Sequence, residues 1–144
     1  MDSMKKILIA VDNDPTSEKI ALNGFQLGLQ LNAEIALLSV VDLTFLITEG
    51  AVTPKEFADI TINDCKKNQQ MLVDTIFKES KVRTFVEEGN PYEVILKTAK
   101  EWDADIIVLG THGRTGFSHL IMGSVAEKIV RHSEVPVFII PIKP

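Results

Sequence analysis

Residues 104–130 read ADIIVLGTHGRTGFSHLIMGSVAEKIV, and this stretch decides the fold. Residues 104–109 are mostly apolar, which is typical of a strand buried on both faces. Glycines interrupt the apolar run from Gly110 onward. Apolar residues then recur at helical spacing, which predicts a helix over residues 123–132. The apolar positions of that helix are Val125, Ala126, Ile129 and Val130.

The same alternation of strand and helix runs through the rest of the chain. Further strands are predicted over residues 6–11, 34–41, 81–87 and 135–141. Three connecting segments begin with helix-capping signals, which are Asp14-Pro15, Thr53-Pro54-Lys55-Glu56 and Asn90-Pro91. The second of these predicts a helix that continues to about residue 79. In the third strand, Val82, Thr84 and Val86 share one face and Phe85 lies on the other, so we expect this strand near one side of the sheet.

Strands that alternate with helices imply a parallel sheet with helices on both faces, joined by right-handed crossovers. The length of 144 residues fits one three-layer, Rossmann-like α/β domain over residues 1–144. In such sheets ligands bind beyond the carboxyl ends of the strands, where the strand order reverses. This rule points to the residues that follow the first and fourth strands.

Charge and cysteine content exclude several classes of protein. The 20 acidic residues outnumber the 15 lysines and arginines, giving a net charge of −5, so a nucleic-acid partner is not expected. The single cysteine, Cys65, permits no intrachain disulfide, which fits a reducing compartment and predicts a cytoplasmic protein. The N-terminal residues do not resemble a secretory signal, and no apolar run approaches the ~20 residues of a membrane span. We therefore expect no membrane association.

Residues 110–124, here called the glycine segment, favour phosphate binding. Glycine lets the backbone approach an anion closely and adopt positive φ, and consecutive backbone N–H groups form anion-binding nests. The N-terminus of the following helix adds N–H groups and a partial positive charge. Ser124 adds a hydroxyl donor, and Arg114 adds a full positive charge. The alternative is a loop that only connects strand and helix.

The glycine spacing argues against a simple connecting loop. Gly110 is followed by two residues and Gly113, and then by nine residues, Gly123 and Ser124. This arrangement resembles the nucleotide-binding members of the universal stress protein family and matches their pattern at every fixed position. The likeness extends over nearly the whole chain and includes residues 6–12, 39–42, 89–91, 105–110 and 136–140.

The resemblance implies an ATP-binding fold with five parallel strands in the order 3-2-1-4-5. It also implies which residues contact the nucleotide. Residues at the positions of Val11, Asp12 and Val41 hold the adenosine end. The ribose and phosphates are surrounded by residues at the positions of Gly110, Gly113, Arg114, Gly123, Ser124 and Val125. No protein ligand for a metal is predicted, although Mg²⁺ could accompany the phosphates.

Several residues have a second interpretation. Asp12 could accept a hydrogen bond from adenine or ribose or help to hold a metal on the phosphates, or it could cap the next helix, for which Asp14 is better placed. His112 could touch a phosphate or simply be solvated in the glycine segment. Cys65 is interpreted as a packed thiol, because no second cysteine or base is evident. Trp102 is interpreted as a core residue.

The favoured function is an ATP-binding regulatory protein of the stress-response type. No nucleophile elbow, P-loop lysine or clear catalytic carboxylate pair occurs, so an enzyme is not favoured. Slow ATP hydrolysis stays open, since bound Mg²⁺–ATP needs only a positioned water. A homodimer is predicted through the terminal strand, Val135 to Ile142, because an apolar edge strand invites pairing and family members commonly dimerise there.

Two other classes of function are alternatives. One is a dimeric interaction module that works without nucleotide. The other is a phosphoacceptor receiver domain, which Asp12-Asn13-Asp14 and Lys143-Pro144 resemble. A receiver needs an aspartate at the end of the third strand, where this chain has Glu87 and Glu88.

Overall fold

Five parallel strands form one sheet with helices on both faces. The structure, a computed structural model, describes residues 5–42, 53–78, 80–112 and 122–142. The strands are β1 (Lys6–Ala10), β2 (Glu34–Val41), β3 (Val82–Glu88), β4 (Ile106–Gly110) and β5 (Val137–Ile140). The helices are α1 (Thr16–Leu31), α2 (Pro54–Leu72), α3 (Pro91–Glu101) and α4 (Ser124–His132).

The strand order across the sheet is β3-β2-β1-β4-β5, which confirms the predicted fold. β1 lies at the centre, where Ile7 pairs with Ile35 of β2 and with Ile106 of β4. The chain builds the sheet outward from β1 to β3 and then returns to place β4 on the other side of β1. The strand order therefore reverses between β1 and β4, where a ligand site is expected in this class of fold.

Each face of the sheet packs its own apolar cluster, because successive strand residues point to opposite faces. On one face, Ile7 and Ile9 pack with α1 and α2. On the other face, Leu8 packs with Ile95 of α3 and Ile129 of α4. These five side chains are buried, so the continuous apolar character of the central strands reflects burial on both faces.

α1 approaches the sheet closely because two glycines stand on its buried face. A Cβ atom at Gly24 would lie 2.4 Å from Cδ1 of Ile9, and one at Gly28 would lie 2.6 Å from Cδ1 of Ile35. Glycine within a helix costs up to about 1 kcal/mol relative to alanine. The close contact with β1 and β2 explains why glycine nevertheless occupies both positions.

α2 begins with the predicted cap and ends with a turn that the sequence did not predict. The backbone N–H of Glu56 donates to Oγ1 of Thr53 at 3.1 Å. The last turn widens into a π-helix, Val73–Phe77. Within α2 the buried Gln69 donates from Nε2 to Oγ of Ser39 on β2 (3.1 Å) and to the carbonyl of Phe85 on β3 (2.9 Å). One amide therefore ties α2 to both strands.

β3 lies at one edge of the sheet, as predicted. Val82 and Val86 pack on the side of α1 and α2, whereas Phe85 packs on the side of α3 and α4. Asn90 caps α3 by accepting from the backbone N–H groups of Tyr92 (3.1 Å) and Glu93 (3.3 Å).

Some apolar side chains are more exposed than the sequence pattern suggested. Val130 is 49% exposed, because α4 covers the sheet with the face that carries Ala126 and Ile129. Ile60 and Met71 of α2 are also exposed. Trp102 is only half-buried at the end of α3, where Nζ of Lys6 lies 5.3 Å from its ring centroid.

None of the described helices combines the length and the apolar character that a membrane span requires.

Candidate functional site

The predicted site residues follow strands that end at one edge of the sheet. Val11 and Asp12 follow β1, Val41 ends β2 and Gly110 ends β4. Because all five strands are parallel, their carboxyl ends meet at this edge. The structure therefore brings the residues predicted for the adenosine end to the same edge as the start of the glycine segment.

Val11 and Val41 are core residues as well as edge residues. Val11 is 4% exposed, and its backbone N–H donates to the carbonyl of Leu38 at 3.0 Å. Val41 is 2% exposed, and its carbonyl accepts from the N–H of Gly89 at 3.0 Å. Most of both side chains is therefore enclosed by protein, as expected at the ends of two continuously apolar strands.

The two aspartates in the turn after β1 have different roles. Oδ1 of Asp14 accepts from the backbone N–H of Thr16 at 2.8 Å and from the Thr16 hydroxyl, so Asp14 caps α1. Asp12 is half-buried, and its backbone carbonyl accepts from Nδ2 of Asn68 at 3.5 Å. The capping function that was the alternative for Asp12 thus belongs to Asp14.

Gly110 has a packing reason to be glycine. A Cβ atom there would lie 2.8 Å from Cδ1 of Ile20 on α1 and 2.9 Å from Cγ1 of Ile142 beyond β5. Ile20 and Ile142 both belong to the apolar packing on the α1 side of the sheet. The absence of a side chain at Gly110 allows the end of β4 to pack closely between two other segments.

The nearest neighbours of Gly123 are backbone atoms. Its N–H donates to the carbonyl of Thr111 at 2.7 Å, and a Cβ atom there would lie 3.0 Å from that oxygen and 3.5 Å from Cα of His112. The N-terminus of α4 therefore rests directly on the chain that leaves β4.

Neither Gly110 nor Gly123 has positive φ, so the expectation of positive φ is wrong at these two positions. In both cases the missing side chain, rather than unusual backbone conformation, explains the glycine.

The N-cap position of α4 supplies no side-chain acceptor for the N–H groups of the first turn. Gly123 is its N-cap residue, with an extended backbone (φ −61°, ψ 158°) and no side chain that could accept from the first-turn N–H groups. Ser124 is exposed, Val125 is half-buried and His112 is half-buried nearby. Gly113 and Arg114 lie outside the described residues, so their predicted contacts remain predictions.

The sequence pattern did not predict a role for Thr111, although it forms hydrogen bonds with Gly123 before α4 and with Ile140 and Ile142. Its N–H donates to Ile140 at 3.0 Å, and its Oγ1 accepts from the N–H of Ile142 at 2.9 Å. Its position between Gly110 and His112 was the only signal in the sequence. Asn68 was missed as well, because nothing near it in the sequence suggests contact with the turn after β1 and with Ser17 of α1.

Cys65 is buried in a small cluster with Val41, which confirms the packed thiol. Among the described residues, no group of three or more His, Cys, Asp or Glu side chains is placed to hold a metal ion.

The sequence model of the universal stress protein family matches residues 4–141. Universal stress protein MJ0577 of Methanocaldococcus jannaschii is 30% identical over 153 residues, which cover 94% of each chain. A solved structure of MJ0577 has a TM-score of 0.80 with 28% identity and 97% coverage of each chain.

Two more distant solved structures share the fold. The universal stress protein from Archaeoglobus fulgidus in complex with dAMP has a TM-score of 0.67 at 17% identity, covering 96% of this chain and 98% of that one. A universal stress protein in complex with cAMP has a TM-score of 0.65 at 15% identity, covering 97% of this chain and 98% of that one. On the family match and the full-length relative, this chain belongs to the universal stress protein family.

Proposed function

We propose that this protein binds ATP and acts as a nucleotide-responsive regulator of the stress-response type. The observation that carries the proposal is the hydrogen bond of 2.7 Å from the N–H of Gly123 to the carbonyl of Thr111. It holds the N-terminus of α4 at the end of β4, beside the point where the strand order reverses. Ligands of open α/β sheets bind at such a point.

The start of α4 suits the phosphates. Helix N-termini attract anions through their unpaired N–H groups and partial positive charge. Gly123 leaves these groups without a capping side chain of its own, and the exposed Ser124 adds a hydroxyl. In the proposed complex Arg114 adds a charge-assisted hydrogen bond, Gly113 admits the phosphates to the backbone, and His112 and Val125 border them.

The turn after β1 and the end of β2 suit the adenosine end. Asp12 offers a carboxylate for the adenine amino group or a ribose hydroxyl. Since Val11 and Val41 are 4% and 2% exposed, we expect them to contact adenosine mainly through their backbone and the outer part of their side chains. Gly110 borders the ribose.

The ligand class is supported by two relatives of the same fold. The solved structures with dAMP and cAMP both hold adenine nucleotides. ATP is proposed for this protein because its glycine segment has the spacing of the nucleotide-binding members. Mg²⁺ would accompany the phosphates, with its remaining positions filled by water. We place this activity in one domain of a cytoplasmic protein, with hydrolysis at most slow.

The proposal is tested by thermal-shift titration with ATP, AMP, adenosine and GTP. A ligand that binds only the folded state stabilises it by about 2.7 kcal/mol at one hundred times its dissociation constant. We expect a saturable rise in melting temperature with ATP, a smaller rise with adenosine and the smallest with GTP. Equilibrium dialysis with radiolabelled ATP checks the stoichiometry.

An absent shift and no retained ATP at millimolar concentration would contradict the proposal. That outcome would favour the interaction module that works without nucleotide. The receiver-domain alternative loses its support, since the chain belongs to a different family and β3 ends in Glu87 and Glu88.

We also propose a homodimer through the terminal strand, Val135 to Ile142. β5 is the outer strand next to β4, and Phe138 on it is 41% exposed. An outer strand has unpaired backbone groups on one side, which favour pairing with a second strand. Sedimentation equilibrium should give a dimer for the parent and a monomer for Phe138→Glu. A monomeric parent would contradict this part of the proposal.

A further inference from the structure

We infer that Thr111 is a positioning residue for the phosphates of the bound nucleotide, acting by fixing the start of α4 against the chain that follows β5. This inference rests on the proposed ATP binding. Thr111 lies between Gly110 and His112, and its backbone and side chain contact two separate segments, which are the start of α4 and the chain from Ile140 to Ile142.

The backbone of Thr111 contacts both segments. Its N–H donates to the carbonyl of Ile140 at 3.0 Å, which extends the pairing of β4 with β5 beyond Gly110. Its carbonyl accepts from the N–H of Gly123 at 2.7 Å. The backbone of this one residue therefore connects the end of β5 to the start of α4.

The hydroxyl of Thr111 adds two hydrogen bonds to the segment that follows β5. Oγ1 accepts from the N–H of Ile142 at 2.9 Å and donates to the carbonyl of Ile142 at 3.4 Å. The donor and acceptor capacities of the hydroxyl are both used. Valine has nearly the same shape and would fill the same space, but it would leave the half-buried N–H of Ile142 without this acceptor.

Residues 141–142, next to the Thr111 hydroxyl, also contact α1 and the end of β4. The carbonyl of Pro141 accepts from Nζ of Lys19 on α1 at 2.6 Å. The side chain of Ile142 packs against Gly110, where Cγ1 lies 2.9 Å from the position of a Cβ atom. Residues 141–142 thus connect Thr111 to α1 and to the end of β4.

Little space remains for α4 to move toward β4. The position of a Cβ atom at Gly123 is 3.0 Å from the carbonyl oxygen of Thr111 and 3.5 Å from Cα of His112. A rotation of Thr111 would therefore shift the N–H groups of the first turn of α4. Because binding groups must be held within a fraction of an ångström, such a shift weakens the phosphate contacts.

The test compares Thr111→Val with Thr111→Ser, which keeps the hydroxyl. Dissociation constants for ATP and adenosine are measured by isothermal titration calorimetry. We expect Thr111→Val to weaken ATP about tenfold, the equivalent of one hydrogen bond, and to change adenosine less than about twofold. Thr111→Ser should stay within about threefold of the parent for both ligands.

A double-mutant cycle with Ser124→Ala tests whether Thr111 affects ATP binding through the start of α4. If Thr111 acts through the start of α4, the losses from Thr111→Val and Ser124→Ala will be less than additive. Equal losses for ATP and adenosine, or fully additive losses, would overturn the inference. Should Thr111→Val not fold, Ile142→Pro removes the same N–H donor from the other side and is judged by the same ratio of ATP to adenosine affinity.

Failure of the proposed ATP binding and failure of the role of Thr111 give different results. A parent protein that binds no ATP refutes the proposed function, and the inference falls with it. A parent that binds ATP, together with a folded Thr111→Val variant of unchanged affinity, overturns only the role of Thr111.

Discussion

Four glycines of this protein are explained by close packing, but their neighbouring atoms differ. Gly24 and Gly28 lie one helical turn apart on α1, and side chains there would collide with Ile9 and Ile35 of the sheet. A side chain at Gly110 would likewise collide with isoleucine side chains, whereas one at Gly123 would meet the backbone of Thr111. The α1 pair brings a helix to a sheet, whereas Gly123 brings a helix N-terminus to a strand end.

The comparison shows what a glycine pattern can and cannot indicate. None of these four residues has positive φ; among the described glycines, Gly89 does, with φ 142°. Conformational freedom therefore explains none of the four. What separates Gly123 from the other three is the neighbouring atom, which is the carbonyl oxygen of Thr111 at Gly123 and an isoleucine side chain at the others.

The largest effect is expected from Gly24→Val, which should lower the free energy of unfolding by about 3 kcal/mol through overpacking against β1. Urea denaturation measures the change. Gln26→Val, an exposed position on the same helix, is the matched control and should cost less than about 0.5 kcal/mol. Equal costs at the two positions would show that the close contact of α1 with the sheet is not needed. The ratio of ATP to adenosine affinity should not change in the folded fraction.

Unlike Gly24→Val, Gly123→Val should affect ATP binding more than the free energy of unfolding. Its Cβ would press on the Thr111 carbonyl, and its methyl groups would occupy space beside the first-turn N–H groups of α4. We expect ATP affinity to fall on the order of 100-fold, while the protein stays folded. Gly123→Ala, which adds only the Cβ atom, should fall between this variant and the parent. A folded valine variant that binds ATP like the parent would refute the site.

Arg114→Ala should weaken ATP about tenfold, since a charge-assisted hydrogen bond to a phosphate is lost. Adenosine carries no phosphate, so its dissociation constant should hardly change. Arg131→Ala is the control, because Arg131 forms an exposed ion pair with Glu127 at 2.8 Å within α4. If calorimetry shows equal losses for ATP and adenosine in Arg114→Ala, its role at the phosphates is wrong.

Ser124→Ala is expected to have the smallest effect, a loss of about fivefold in ATP affinity for one neutral hydrogen bond. Ser133→Ala, just beyond the other end of α4, removes the hydroxyl that donates to the carbonyl of Val135 at 2.7 Å. That control should lower the melting temperature without changing ATP affinity. An equal loss of affinity in both serine variants would point to a general loosening of α4.

The sequence predicted most of the fold because the decisive signals are local or periodic. Burial on both faces makes the central strands continuously apolar, and Thr53 and Asn90 cap the helices that follow them, as predicted. The same signals failed where a residue's neighbours come from distant parts of the chain. Val130 continues an apolar pattern but lies on the outer side of α4.

For the candidate site, the sequence by itself determined the glycine spacing, the order of the elements and the family. The sequence also indicated that Val11 and Val41 lie in buried strands and that Asp14 caps α1. Tertiary structure alone decided that Asn68 of α2 contacts the turn after β1. It alone placed Thr111 between Gly123 and Ile142. The physical reason is that hydrogen bonds between remote segments depend on how strands and helices pack, which no local pattern of residues records.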